Sequence, residues 1–206
     1  MQENKHISTY RQSLKEQIVT TAMSQFVKFG IKAVRMDDIA SMLGISKRTL
    51  YEIYENKEEL LLEGIKFDRE CRFKELQEFV GQKERNEIEV MVKFVKMQME
   101  DLNVINPLFF VEIRRYKRVV NYLQEYNEEQ RKNTMQFLRK GVEHGYFMEG
   151  INYDIVHEMG NAVINHVMET KLYERFPIQE IFRNYVSVLM RGYCTDKGIA
   201  ELQKLF

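Results

Sequence analysis

From residue 14 to 29, apolar side chains recur at Ile18, Ala22, Phe26 and Phe29, with Val19 and Met23 widening the stripe. This is the spacing of one helical face. Gly30 follows where such a helix would stop. Asp37 to Leu43 makes a second, short helix with Ile39, Ala40 and Leu43 on one side, and Gly44 supplies the sharp stop after it. Ser46 is a good N-cap for a third helix carrying Lys47, Arg48, Thr49 and Tyr51. A long helix is predicted over 57–80, capped by Asn56 or its neighbour, with Leu60, Leu61, Ile65 and Leu76 at helical spacing. The run 86–102 buries Ile88, Met91, Val92, Val95 and Met99, and Pro107 opens a short apolar helix, PLFFVEI, ending near Arg115. Residues 117–144 form a longer helix that Gly145 stops, with Tyr146 and Phe147 folding back as anchors. Asn152 to Asp154 caps a helix ending near Tyr173, and Pro177 starts the last one, to Tyr193. No stretch alternates in strand fashion, no Asn-Gly hairpin occurs and no segment repeats. The chain is predicted to be all-α, with about nine helices by this periodicity.

The run DDIASMLGISKRTLYEIYENK, residues 37–57, carries the chemistry. A short helix, a glycine stop and a second helix with a basic, hydroxylated and aromatic face form a helix-turn-helix pattern. The second helix of such a unit enters the DNA major groove. Leu50 and Tyr54 read as core, but Lys47, Arg48 and Thr49 have no packing reason to cluster at one helix start.

Charge first appears to oppose that reading, because 31 Lys and Arg balance 31 Asp and Glu over 206 residues. The balance is uneven along the chain. Residues 1–57 hold nine basic against six acidic side chains, while 58–206 hold 22 against 25. The basic excess travels with the helix-turn-helix, as an electrostatic footprint should. It is small enough that two copies are expected to act together. Composition, at 44% apolar and 30% charged, is globular. No apolar run approaches the roughly 20 residues that span a bilayer. The start of the chain lacks an apolar signal core, and Cys71 and Cys194 show no disulfide-like spacing, so a reduced cytoplasm is expected.

Two helices near the end have unusually wide apolar faces. Ile155, Met159, Val163 and Val167 make one stripe, and Val156, Gly160, Ile164 and Met168 its neighbour. On the next helix Ile178, Ile181, Phe182, Tyr185, Val186, Leu189 and Tyr193 cover more than half the circumference. They fit either a helix central to its own domain or a two-fold interface closing as a four-helix bundle. The interface reading is favoured, because it also supplies a second DNA-reading unit.

Residues 14–62 resemble the DNA-binding domain of TetR-type transcriptional regulators. The matching positions are Phe29-Gly30, Asp38-Ile39-Ala40, Leu43-Gly44-Ile45-Ser46, Thr49-Leu50-Tyr51, Tyr54 where the family usually has Phe, and Lys57-Glu58-Glu59-Leu60. Further on, the resemblance is confined to helix plan and the segment GVEHGYF, residues 141–147. It implies an N-terminal DNA-binding domain over 1–57 and a helical regulatory and dimerisation domain over 58–206. It also implies a homodimer on a palindromic operator, commonly a repressor, released by a small apolar or amphipathic effector. Lys47 and Thr49 then sit where relatives touch bases or backbone, and Tyr51 and Lys57 where they hold phosphates. Backbone N–H groups beside Ser46 can take a phosphate. Arg48, with Lys47, is expected to influence sequence preference. No cofactor is implied.

The chain departs from the family at several positions. Arg35 replaces the usual Ser or Thr cap of the second helix, a loss of about 1 kcal/mol, though an arginine there can reach a phosphate. Ile53 stands where a backbone-touching His or Tyr is common. Glu52 and Glu55 either repel misplaced phosphates or form a solvated helix end.

For an effector pocket the expected lining is Phe94, Met97, Phe109, Phe110, Tyr116, Tyr122, Met135, Phe137, Leu138 and Met159, which also fit a filled core. Asn161, Asn165 and His166 interrupt an apolar stretch and would need partners if buried. Two other functional classes fit parts of the sequence. An enzyme could use Asp154 with His157, or His166 with Glu169, as carboxylate-histidine pairs, but no distinctive facing glutamates complete a metal set. An interaction or small-molecule-binding protein would carry the helix-turn-helix without operator binding.

Overall fold

A computed structural model describes the backbone of residues 2–205 and the side chains of residues 10–205. Its order is α1 (Gln2–Phe29), α2 (Met36–Met42), α3 (Lys47–Ile53), α4 (Lys57–Gly81), α5 (Glu87–Val104), α6 (Pro107–Ile113), α7 (Lys117–Glu143), α8 (Tyr153–Glu169), α9 (Ile178–Tyr193) and α10 (Asp196–Gln203). The fold is all-α; among the described residues the only β feature is an isolated bridge, Phe147 to Cys194. Two elements differ from expectation. The helix expected to reach Tyr173 ends at Glu169, because Lys171 adopts the left-handed region (φ 52°) before a 3-10 turn at Leu172–Glu174. The helix α10 was not anticipated: it is eight residues long, too short to display a stripe, and Thr195 starts it by accepting the Gly198 N–H at 3.1 Å.

The helices gather into two compact units, Met1–Cys71 with Leu108–Leu123, and Arg72–Pro107 with Gln124–Phe206. The first unit thus runs past the expected boundary at residue 57 and takes in most of α6 and the start of α7. Its core joins Ile18, Ala22 and Phe26 of α1 to Ile39, Leu50, Leu60 and Leu61, all buried. Burying each of the larger of these side chains fully is worth roughly 1.5–3 kcal/mol. A Cβ at Gly64 would lie 2.3 Å from Met23 Cγ, so glycine is what lets α4 run against α1.

The turn after α1 is held by groups distant in sequence. The Lys32 backbone N–H donates to Glu112 Oε2 at 2.7 Å, and Lys57 Nζ donates to the Ile31 carbonyl at 2.9 Å. Gly30, at φ 86°, faces Glu112 and Leu108 so closely that a Cβ would sit 3.1 Å from the carboxylate. Glu58 in turn accepts the Arg118 N–H at 2.9 Å, capping the start of α7.

In the second unit Ile88, Met91, Val92, Phe147, Met190, Cys194 and Leu202 form the core. Phe147 is the anchor expected after Gly145. Its ring lies where a Cβ at Gly141 would be, 2.1 Å from the nearest ring carbon. The segment after α9 is tied to that turn, Thr195 Oγ1 donating to the Gly145 carbonyl at 2.6 Å and Met148 N–H to the Tyr193 carbonyl at 2.8 Å.

Candidate nucleic-acid interface

The site begins at α2. Arg35 occupies its cap, and a guanidinium has no acceptor to offer. The Asp38 carboxylate instead accepts the Arg35 backbone N–H at 2.8 Å, half of a capping box. Asp37 and Asp38 also place two negative charges at the positive end of the helix dipole. The cap missing from the side chain is therefore offset from within the helix. At the other end the Gly44 N–H donates to the Ser41 carbonyl and Ile45 to Ala40, at 3.2 and 3.0 Å, a turn that requires the positive φ of Gly44 (64°).

Ser46 caps α3 as expected, its Oγ accepting the Thr49 N–H at 3.0 Å. The two hydroxyls also bond each other at 2.8 Å. Leu50 and Tyr54 are buried and pin the helix to its domain. Burial, then the charges of Glu63 and Glu59, pushes the Tyr54 phenol up to about 12. With those two inside, the opposite face turns outward: the Arg48 side chain is 89% exposed and Tyr51 47%. Lys47 is ion-paired to Asp37, and Arg48 Nε donates to Glu52 Oε1 at 2.8 Å. Glu52 is thus a partner of Arg48, which spacing alone had left between two readings; the pair spans one helical turn. Lys57 departs from expectation. Its ammonium is turned toward the Ile31 carbonyl and half-buried, and burial holds it below the usual lysine value against the pull of Glu112 and Asp38.

Residues 18–63, which span this whole constellation, match the family described as bacterial regulatory proteins, tetR family. Residues 18–63 are thus a TetR-type DNA-binding segment. This TetR-type regulator is 25% identical over 151 residues to the HTH-type transcriptional repressor KstR2 of Mycobacterium tuberculosis, covering 70% of this chain and 74% of that one. A TetR-family regulator from Agrobacterium tumefaciens shares its fold, with TM-score 0.72 and 14% identity over 90% of this chain and 100% of that one. The regulator FadR from Bacillus subtilis, solved with stearoyl-CoA, matches with TM-score 0.62 and 17% identity over 86% and 98%. TetR-family members are DNA-binding transcription factors, not enzymes.

The residues expected to line an effector pocket in this TetR-type chain are spread over both units. Phe109, Phe110, Tyr116 and Tyr122 belong to the first, where Phe109 is buried with Phe110 edge-on at 5.9 Å. In the second, Met97 is buried and Phe137 and Leu138 are packed on the core. Phe94 and Met159 are exposed, as are Asn161, Asn165 and His166, so these polar groups of α8 face solvent on the chain. A helix stripe has two edges, and these residues fall on the outer one. An open cavity of about 370 Å³ in the second unit is lined by Met135, Arg139, Val142, Met148, Asn152 and Tyr153, of which Met135 alone was expected. Of the expected interface positions, Val167 and Phe182 are already buried within the chain. Val156, Gly160, Val163, Ile181, Tyr185, Val186 and Leu189 are half-buried, and Ile155 and Ile164 are exposed.

Proposed function

We propose that this TetR-family chain is a ligand-responsive homodimeric repressor of a palindromic operator, working in the cytoplasm. The observation that carries this is the capped helix α3, anchored by Leu50 and Tyr54 and presenting Lys47, Arg48, Thr49 and Tyr51 outward. Ser46 N-cap amides and Arg35 lie beside it as phosphate contacts, and Lys57 joins them only by leaving the Ile31 carbonyl. Dimerisation is supported by the apolar side chains that α8 and α9 leave in water: Ile155 is 56% exposed, Met159 63%, Ile164 43% and Val188 73%. Covering them with a second copy would extend the interface over Val156, Gly160, Val163, Ile181, Tyr185, Val186 and Leu189, with two heads about one or more helical repeats apart. The effector is small and apolar or amphipathic, in keeping with the stearoyl-CoA held by the B. subtilis neighbour. Met97, Phe137 and Met135 are the residues of the second unit proposed to meet it, Phe94, Met159, Asn161, Asn165 and His166 standing further outward.

Full-length protein should retard DNA from upstream of its own gene at moderate salt and sediment as a dimer. Absence of any sequence-selective shift would remove the operator reading, and an interaction role without DNA would take its place. Long-chain acyl-CoA added to the complex tests the effector class by release of the DNA.

A further inference from the structure

Arg48 stands out on the surface of α3. Its neighbours are already engaged: Lys47 with Asp37, and the hydroxyls of Ser46 and Thr49 with each other. Arg48 uses only Nε, so among the described residues both terminal amino groups, Nη1 and Nη2, are without a partner. An 89% exposed arginine has little packing to define its rotamer. What defines it is Glu52, one turn along the same helix, 2.8 Å from Nε.

A guanidinium is planar, so holding its Nε–H fixes the plane of the group and the direction of the remaining fork. A fork of two parallel N–H donors matches the O6 and N7 acceptors of guanine in the major groove. The carboxylate has no other evident benefit at this place. An exposed i, i+4 ion pair adds little stability, and a negative charge beside the recognition face weakens attraction to every phosphate. We infer that Glu52 is a positioning and specificity-determining residue, orienting Arg48 so that Nη1 and Nη2 read one guanine in each operator half-site. This assignment rests on the operator reading above.

The test selects binding sequences from a randomised duplex pool with wild-type full-length protein and with Arg48→Ala, Glu52→Ala and Glu52→Gln. Affinities are then measured for the enriched site and for the same site with that guanine changed to adenine. Wild type should enrich a symmetric guanine and discriminate against the change by about tenfold or more. Arg48→Ala should lose that discrimination. Glu52→Ala should lose most of it while binding random DNA more tightly, and Glu52→Gln should keep it, because the amide oxygen still accepts the Nε–H. Helical circular dichroism at the wild-type level checks that each variant is folded. Full guanine preference in Glu52→Ala would overturn the assignment. So would a cytosine preference that survives Arg48→Ala and vanishes in Glu52→Ala, since Glu52 would then read the base directly. If wild type enriches no sequence, the operator reading falls and takes this assignment with it; if it enriches a site that ignores Glu52, only the assignment falls.

Discussion

Glu112 on α6 accepts the backbone N–H of Lys32 at 2.7 Å, joining positions 80 residues apart across the turn that leads into the helix-turn-helix. The same turn offers its Ile31 carbonyl to Lys57, so donor and acceptor are each satisfied by a charged side chain. The geometry of the DNA-reading helices therefore depends on a residue far outside the motif.

Glu112→Ala should lower stability by roughly 1 kcal/mol, the scale of a net hydrogen bond at a solvent-exposed site. Urea unfolding reads the effect, and Glu112→Gln should fall between the two. An unchanged midpoint would mean that water replaces the carboxylate at Lys32.

Ser46 caps α3 through the Thr49 N–H. Ser46→Ala should cost about 1 kcal/mol and weaken operator binding through fraying of the recognition helix. Ser46→Asp separates the two effects: it restores the cap, as thermal unfolding would register, while its charge keeps DNA affinity low. Equal stability in all three proteins would rule out the cap.

Lys57 and Tyr51 should now behave differently from each other. Tyr51→Ala should weaken binding to all duplexes by a similar factor and leave the fold intact, since the ring is outside the core. Lys57→Ala strands the Ile31 carbonyl and should destabilise the first unit. If Lys57 also reaches phosphate in the complex, the slope of log affinity against log salt should flatten by about one per head. A titration of both variants over salt gives the answer.

Placing charge on the open faces of α8 and α9, by Ile155→Glu with Val188→Glu, should yield a folded monomer with little operator affinity. Both side chains are mostly in solvent on the chain, so folding should survive. Sedimentation as a wild-type dimer would show that association uses another surface.

Alkaline pH should destabilise the protein through Cys194 and Tyr54. Burial raises the Cys194 thiol from 9.0 to about 11, and the Tyr54 phenol from 10.0 to about 12. The folded chain holds these protons more tightly, so stability is whole below pH 9 and is lost as pH climbs through the raised values. Urea midpoints should fall across that window. Cys71, exposed, should alkylate readily throughout, and Cys194 only as the chain opens. Stability that stays constant to pH 11 would contradict the burial of the thiol.

Helix positions, the Gly44 stop, the Ser46 cap and the outward face of α3 were legible along the chain, because periodicity, capping and positive φ are local properties decided within one or two turns. The family resemblance followed from the same residues. The partner of Arg48 was within reach of the same reasoning, since i, i+4 spacing names it. Other features lay beyond local patterning. Lys57 turning inward and Glu112 closing the turn at Lys32 each depend on which polar group is left unsatisfied once helices pack. Which edge of α8 meets its own core, burying Val167 and leaving Asn161, Asn165 and His166 outside, is likewise set by neighbours that periodicity cannot name. A stripe tells that a face will be buried, and packing alone chooses what covers it.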